Sequence, residues 1–351
     1  FMNKKIGLFW LRDDFRVSKN NGLIEATLNH DQVVVFYLYK KLTYKYQEAQ
    51  KWWLSKSLIH FSKNLNKLNI NLEIIETDYF KIFFEKLFKK NDFSFYWNKV
   101  YEPEYLKFDD YLIKNFKNKK VSYKLCKGNT LNEIDEIKKN DGTPFKVFTP
   151  FWRTAEKYYI EKIPSKEKLI KKCLKSKNYF KNSINPKEIL PNKNWFKNFE
   201  NFWLPSEENA LKELSNFIKN KINNYTDSRN FPNIIGTSKL SPFIKFGQIH
   251  VETIWNECEK IKPKNLGTSK FLTEIGWREF NHALINHFPH MLKNNYSKKF
   301  DQFPWEKNSK FLTAWKRGLT GYPIVDAGMR ELYSTGWMHN RVRMIVGSFL
   351  V

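Results

Sequence analysis

The chain has 351 residues, room for about two domains, and carries a net charge of +25 with a pI near 9.7. Its content of 41% hydrophobic and 17% aromatic residues can build real cores and excludes general disorder. The apolar runs are short, as at 33–38, so no segment is expected to span a membrane.

The opening stretch "FMNKKIGLFW" is expected to lead straight into a strand and does not read as a secretory signal. Residues 1–128 alternate strand and helix, the pattern of an α/β domain with a parallel, Rossmann-like sheet. The predicted strands are 6–11, 33–39, 72–76, 93–100 and 121–125. Helical stretches such as "EAQKWWLSKSLIHFSKNLNKL" and "DYFKIFFEKLFKK" lie between them. The turn after the first strand reads "WLRDDFRVSKNNGLIEA", so the glycine-rich dinucleotide fingerprint is absent. A ligand could still sit at the carboxyl edge of such a sheet.

Residues 129–205 read as a long linker with short helices, punctuated by Pro144, Pro150, Pro164, Pro186, Pro191 and Pro205. Ser206, followed by Glu207 and Glu208, reads as a helix cap with acid in the first turn. From there to residue 351 the pattern is all-α. The three cysteines, Cys126, Cys173 and Cys258, lie far apart with no C-x-x-C pair. Neither a zinc site nor a disulfide framework is expected, and a reducing cytoplasm fits. His282, His287 and His290 read as helix surface.

The positive charge leaves two readings open: a polyanionic partner, most simply nucleic acid, or a general drift toward lysine. Lysines outnumber arginines 52 to 9, so an arginine marks a place where a planar fork is needed. Five of the nine, Arg278, Arg317, Arg330, Arg341 and Arg343, fall in the last quarter of the chain.

Three stretches concentrate chemistry. In "YTDSRNFPNIIGTSKLSPFIKFGQIH", Thr237, Ser238 and Ser241 supply hydroxyls beside Lys239, and Ser241-Pro242 opens a helix. This is a diphosphate grip or an ordinary capped loop. In "FLTEIGWREFNHALINHF", Leu272, Ile275, Phe280 and Leu284 form an apolar stripe, while Glu274, Trp277, Arg278 and Asn281 share the other face. That face is a surface ion pair beside a core tryptophan, or a recognition face for flat rings and anions. The closing "STGWMHNRVRMIVGSFLV" reads as a helix placing Trp337, Asn340, Arg341 and Met344 on one face. It ends within an apolar run that needs packing partners.

The segments "TSKLSPFIKFGQI", "EIGWREF" and "TGYPIVDAGMRELYSTGWMHNRVRMIV" resemble, in order and spacing, signature segments of the DNA photolyase/cryptochrome family. The resemblance covers all 351 residues, most strongly from Tyr225 onward. It implies FAD held in the helical domain by Tyr225, Thr237, Ser238, Lys239, Leu240, Ser241, Phe271 and Arg278. It also implies damaged DNA as partner, the lesion flipped into the same cavity. Glu274, Trp277, Asn281, Asn340, Arg341 and Met344 would then meet the lesion or its phosphates, and Arg229 the DNA backbone. Excited, reduced flavin would donate an electron to a cyclobutane pyrimidine dimer. Trp305 matches the outer tryptophan of the family's electron-transfer chain. Glu104 and Lys293 match contacts to an antenna pigment, a folate (methenyltetrahydrofolate) or a deazaflavin, although "YEPEY" departs from the folate-type pattern. Relatives that repair the (6-4) photoproduct carry histidines where this chain has Asn340 and Met344.

The expected protein is a monomeric, class I-like cyclobutane dimer photolyase, with the α/β domain in 1–128, a linker in 129–205 and an incomplete all-α FAD domain in 206–351. Family members carry a further segment after the closing helix, so the expectation is a C-terminally truncated, inactive chain. The alternatives are a blue-light photoreceptor of cryptochrome type and a non-catalytic nucleic-acid-binding module.

Overall fold

A computed structural model describes residues 6–41, 48–90, 92–162, 168–263, 265–304, 306 and 308–350. Strands β1 (Ile6–Leu11), β2 (Val33–Tyr39), β3 (Asn71–Glu76), β4 (Phe93–Asn98) and β5 (Tyr123–Cys126) form one parallel sheet in the order β3-β2-β1-β4-β5. Helices α1 (Asn21–Asn29), α2 (Glu48–Lys67), α3 (Phe80–Leu87) and α4 (Pro103–Asn118) connect them. β1, β2 and β4 are buried nearly end to end because helices cover both faces. The faces alternate by residue. Phe9, Leu11, Val33 and Val35 pack with α1, α2 and the helical half, whereas Leu8, Trp10, Val34 and Phe36 pack with α3 and α4.

Residues 129–205 do more than link. Their helix α5 (Phe148–Glu161) has 14 residues and buries Phe151, Trp152 and Ala155. The expectation of only short helices here is corrected. Pro150 is the third residue of α5, in the first turn, where the missing N–H has no intrahelical partner to lose. Farther on, the chain runs along the β3 edge. The N–H groups of Tyr179 and Phe180 donate to Glu73 at 2.8 and 2.7 Å, and Ile184 N–H donates to Ile74 C=O at 2.9 Å. This covers an otherwise open strand edge.

Ser206 caps α6 (Glu207–Asn220), its hydroxyl accepting from Asn209 N–H at 3.1 Å. Then follow α7 (Tyr225–Ser228), α8 (Ser241–Lys245), α9 (Val251–Glu259) and the 22-residue α10 (Leu266–His287). The helical half docks on the α/β half through the turn after α8. Trp53 of α2 packs edge-on against Phe243 at 5.1 Å and donates to Gln248 at 3.0 Å. Gly247 sits at φ +63°, and a Cβ there would lie 2.0 Å from Asp13 C=O. The close approach therefore requires glycine.

Helices α11 (Ser309–Arg317), α12 (Pro323–Thr335) and α13 (Asn340–Leu350) share a small core of Val325, Met329, Met338, Val342 and Val346. On α13, Ile345, Phe349 and Leu350 remain exposed. α13 starts at Asn340, so Trp337 precedes the helix instead of sharing its face, a correction to the expected spacing. Gly336, left-handed at φ +73°, ends α12 and turns the chain before Trp337.

Candidate functional site

The switch point of the sheet lies between β1 and β4, where strand order reverses. The turn that lacks the glycine fingerprint fills part of this crevice with polar side chains. Asn98 donates to Asp14 and, at 2.8 Å, to Asn20, and it accepts from Gly22 N–H at 2.8 Å. Arg16 reaches across to Gly247 C=O at 2.8 Å.

Beside this network the carboxyl edge of the sheet and helices α7, α8 and α10 enclose a cavity of about 620 Å³. That size suits a small-molecule or cofactor site. Tyr225, Leu240, Ile244, Phe271 and Ile275 supply apolar and aromatic wall. Ser238, Ser241, Glu274, Trp277, Arg278, Asn281 and Asn340 supply polar groups and a flat ring. The expected face of α10 therefore does turn toward one cavity, and of the apolar stripe Leu272 and Phe280 are buried away from it while Ile275 borders it.

Other expected residues stand around this wall. Arg229 is buried and ion-paired with Glu274, its guanidinium 5.4 Å from the Tyr225 ring centre. Arg341 donates to the Asn230 side chain at 2.7 and 3.0 Å and lies 3.6 Å from the Met344 sulfur. Met344 is exposed. Lys239, left-handed at φ +54°, sends its ammonium over the Trp337 ring at 4.9 Å. Thr237 is half-buried and does not line the cavity. Glu104 and Lys293 are exposed and outside it. Trp305 falls outside the described residues.

Several wall residues went unnoticed in the sequence. Asp13, Lys99, Tyr101 and Glu102 come from the sheet edge, and Lys245 from α8. Lys245 joins the two halves, its ammonium 2.9 Å from Asp13 and 3.1 Å from Glu102. The β1–β4 adjacency brings the sheet-edge residues together here, and the docking of α8 adds Lys245. His282 also lines the cavity, which corrects its reading as helix surface. Burial, with Arg278 and Lys245 nearby, drives its imidazole down to about 3, so it is neutral at pH 7.

Arg278 is held from behind. Its Nη1 donates to Asn129 C=O at 2.7 Å and lies 3.4 Å from Glu279. Glu279 is buried and accepts from the N–H groups of Leu131 and Asn132 at 2.9 and 3.3 Å. Burial pushes its carboxyl up to about 7, outweighing the pull of Arg278 and the two N–H groups. A carboxyl raised in the fold contributes stability below its unfolded value, near 4.5, and loses it as pH rises through 7. Glu279→Gln should therefore gain on the wild type as pH rises across that window, by up to about 3 kcal/mol. Urea titrations at stepped pH read this, and a pH-independent difference would remove Glu279 as the source.

Among the described residues no helix is long and apolar enough to cross a membrane. Residues 7–168 match the family model described as DNA photolyase, and residues 271–351 match the FAD binding domain of DNA photolyase. A deoxyribodipyrimidine photo-lyase of Agrobacterium fabrum is 34% identical over 350 residues, 98% of this chain and 72% of that protein. Cryptochrome-2 of Arabidopsis thaliana is 30% identical over 372 residues, 100% of this chain and 60% of that protein. The crystal structure of a class III photolyase from Agrobacterium tumefaciens superposes with a TM-score of 0.91 at 34% identity, covering 99% of this chain and 72% of that one. With family-model matches in both halves, and close similarity of sequence and fold to a photolyase along almost its whole length, the chain belongs to the DNA photolyase/cryptochrome family.

Proposed function

We propose that the protein repairs cyclobutane pyrimidine dimers in DNA, driven by light, with FAD in the cavity between the sheet edge and α10. The observation that carries this reading is that one cavity wall bears Tyr225, Ser238, Ser241, Phe271 and Arg278 together with Glu274, Trp277, Asn281 and Asn340. The donor set fits FAD: apolar and aromatic wall for a flat ring, hydroxyls and a guanidinium for a diphosphate. When bound and reduced, FAD would supply on illumination the electron that opens the cyclobutane ring and would take it back once the ring has split.

The chain's own residues bind and orient. Arg278, fixed by Asn129 and Glu279, offers its remaining N–H groups to an anion. Arg229 holds Glu274 as a carboxylate acceptor for ring N–H groups. Trp277, 42% exposed, presents a flat surface to an extrahelical base. Arg341 lies outside the cavity, where it can meet phosphates, and Lys239, expected at FAD, also lies outside it, over the Trp337 ring. Asn340 and Met344 cannot transfer protons near neutrality, which favours the cyclobutane lesion over the (6-4) photoproduct.

The test uses the gene product that carries these residues, whatever its full length. It should copurify with or take up FAD and, once reduced, restore dimer-containing oligonucleotides under blue light but not in the dark. Flavin binding with no repair would move the assignment to a photoreceptor. Absence of flavin binding would leave a nucleic-acid-binding module.

A further inference from the structure

Trp277 is not a lone ring on a helix. Its indole lies parallel to the Phe148 ring, with centres 3.8 Å apart and an interplanar angle of 8°. Phe148 is the first residue of α5 and belongs to the segment that the sequence presents as linker. One turn later on the same helix, Trp152 lies parallel to Phe148 at 7°, centres 6.5 Å apart. Trp152 presses on Gly276, where a Cβ would come within 2.3 Å of its ring. Consecutive residues of α10, Gly276 and Trp277, thus receive consecutive turns of α5. Phe280 braces Phe148 edge-on at 5.9 Å.

An aromatic ring has two faces. Phe148 covers one face of Trp277, and the indole still lines the cavity and stays 42% exposed. We infer that Phe148 is a positioning residue for lesion recognition: it fixes the Trp277 plane and leaves one face for a flat ring. This rests on the reading of Trp277 proposed above. A ring held this way loses less freedom on binding than one that turns about its side-chain bonds. It also accepts one base and cannot insert between two.

The test measures affinity of the flavin-loaded gene product for a duplex with one cyclobutane dimer and for the undamaged duplex. Four variants are compared: Phe148→Leu, Phe148→Tyr, Trp277→Ala and the double variant Phe148→Leu/Trp277→Ala. Phe148→Leu should lower the damaged-to-undamaged affinity ratio by about two- to tenfold, the range of one aromatic pair. Affinity for undamaged duplex should stay unchanged. Phe148→Tyr keeps the ring and should keep the ratio, which separates positioning from bulk. The double variant should be no worse than Trp277→Ala alone. Equal loss of both affinities in Phe148→Leu, or an additive loss in the double variant, would overturn the inference and make Phe148 a packing residue. An unchanged ratio in Phe148→Leu, with the ratio lost in Trp277→Ala, would overturn it while leaving the proposed function intact. An unchanged ratio in Trp277→Ala would overturn the reading of Trp277 and this inference with it.

Discussion

Arg12→Leu is expected to destabilise the fold by about 3–5 kcal/mol, the cost of leaving a buried charge without its partner. Arg12 follows β1 in the turn that replaces the glycine fingerprint. Its guanidinium meets Asp109 at 2.9 and 3.2 Å, donates to Asn98 C=O and stacks 4.9 Å from the Trp10 ring centre. Both side chains of the ion pair are only 3% exposed. Asp109 also accepts from Trp97 Nε1–H at 2.9 Å. Burial already raises the Asp109 carboxyl, against the pull of Arg12 and these hydrogen bonds. Without Arg12 it rises further, and the neutral acid becomes the favoured folded form. A carboxyl raised in the fold loses its stabilising contribution as pH rises. The deficit of Arg12→Leu should therefore grow from acidic to neutral pH in urea titrations. Arg12→Leu/Asp109→Leu removes both charges and should recover most of the loss. A deficit below about 1 kcal/mol, as for exposed pairs, would show that water reaches this one.

The second large effect separates lesion from backbone. Trp277→Ala should cost about 1–3 kcal/mol of affinity for dimer-containing duplex, the scale of one base stacked on an aromatic ring. Undamaged duplex should bind as before. Arg341→Ala should weaken both duplexes alike and reduce the salt slope by about 0.9, one released counterion. The geometry supports this division. Trp277 lines the cavity, whereas Arg341 lies outside it, its guanidinium held by the Asn230 side chain and beside Met344. Exchanging an asparagine amide for a phosphate needs no unfolding. Titrations with both duplexes at several salt concentrations decide the matter. Loss of both properties in both variants would show that the roles are not separable.

What the sequence determined by itself is what local chemistry repeats. Apolar runs at 33–39 and 93–98 reveal strands because a parallel sheet buries both faces. Ser206 and the acidic pair after it reveal a helix start because free N–H groups need an acceptor and favour negative charge. The spacing of Glu274, Trp277, Arg278 and Asn281 reveals a shared face because an α-helix repeats every 3.6 residues.

Tertiary structure alone decided which distant groups meet. Strand order cannot be read from strand sequence, yet it sets β1 beside β4 and so brings Asp13 and Lys99–Glu102 to the cavity wall. Phe148 looks like part of a loose linker, and only the packing of α5 on Gly276 makes it the second ring of Trp277. Trp337 has helical spacing with Asn340, but Gly336 and the turn before α13 take it off that helix, where Lys239 finds it. Periodicity records how one element faces its surroundings. Which surroundings it faces depends on long-range burial and chain topology, and no local pattern contains them.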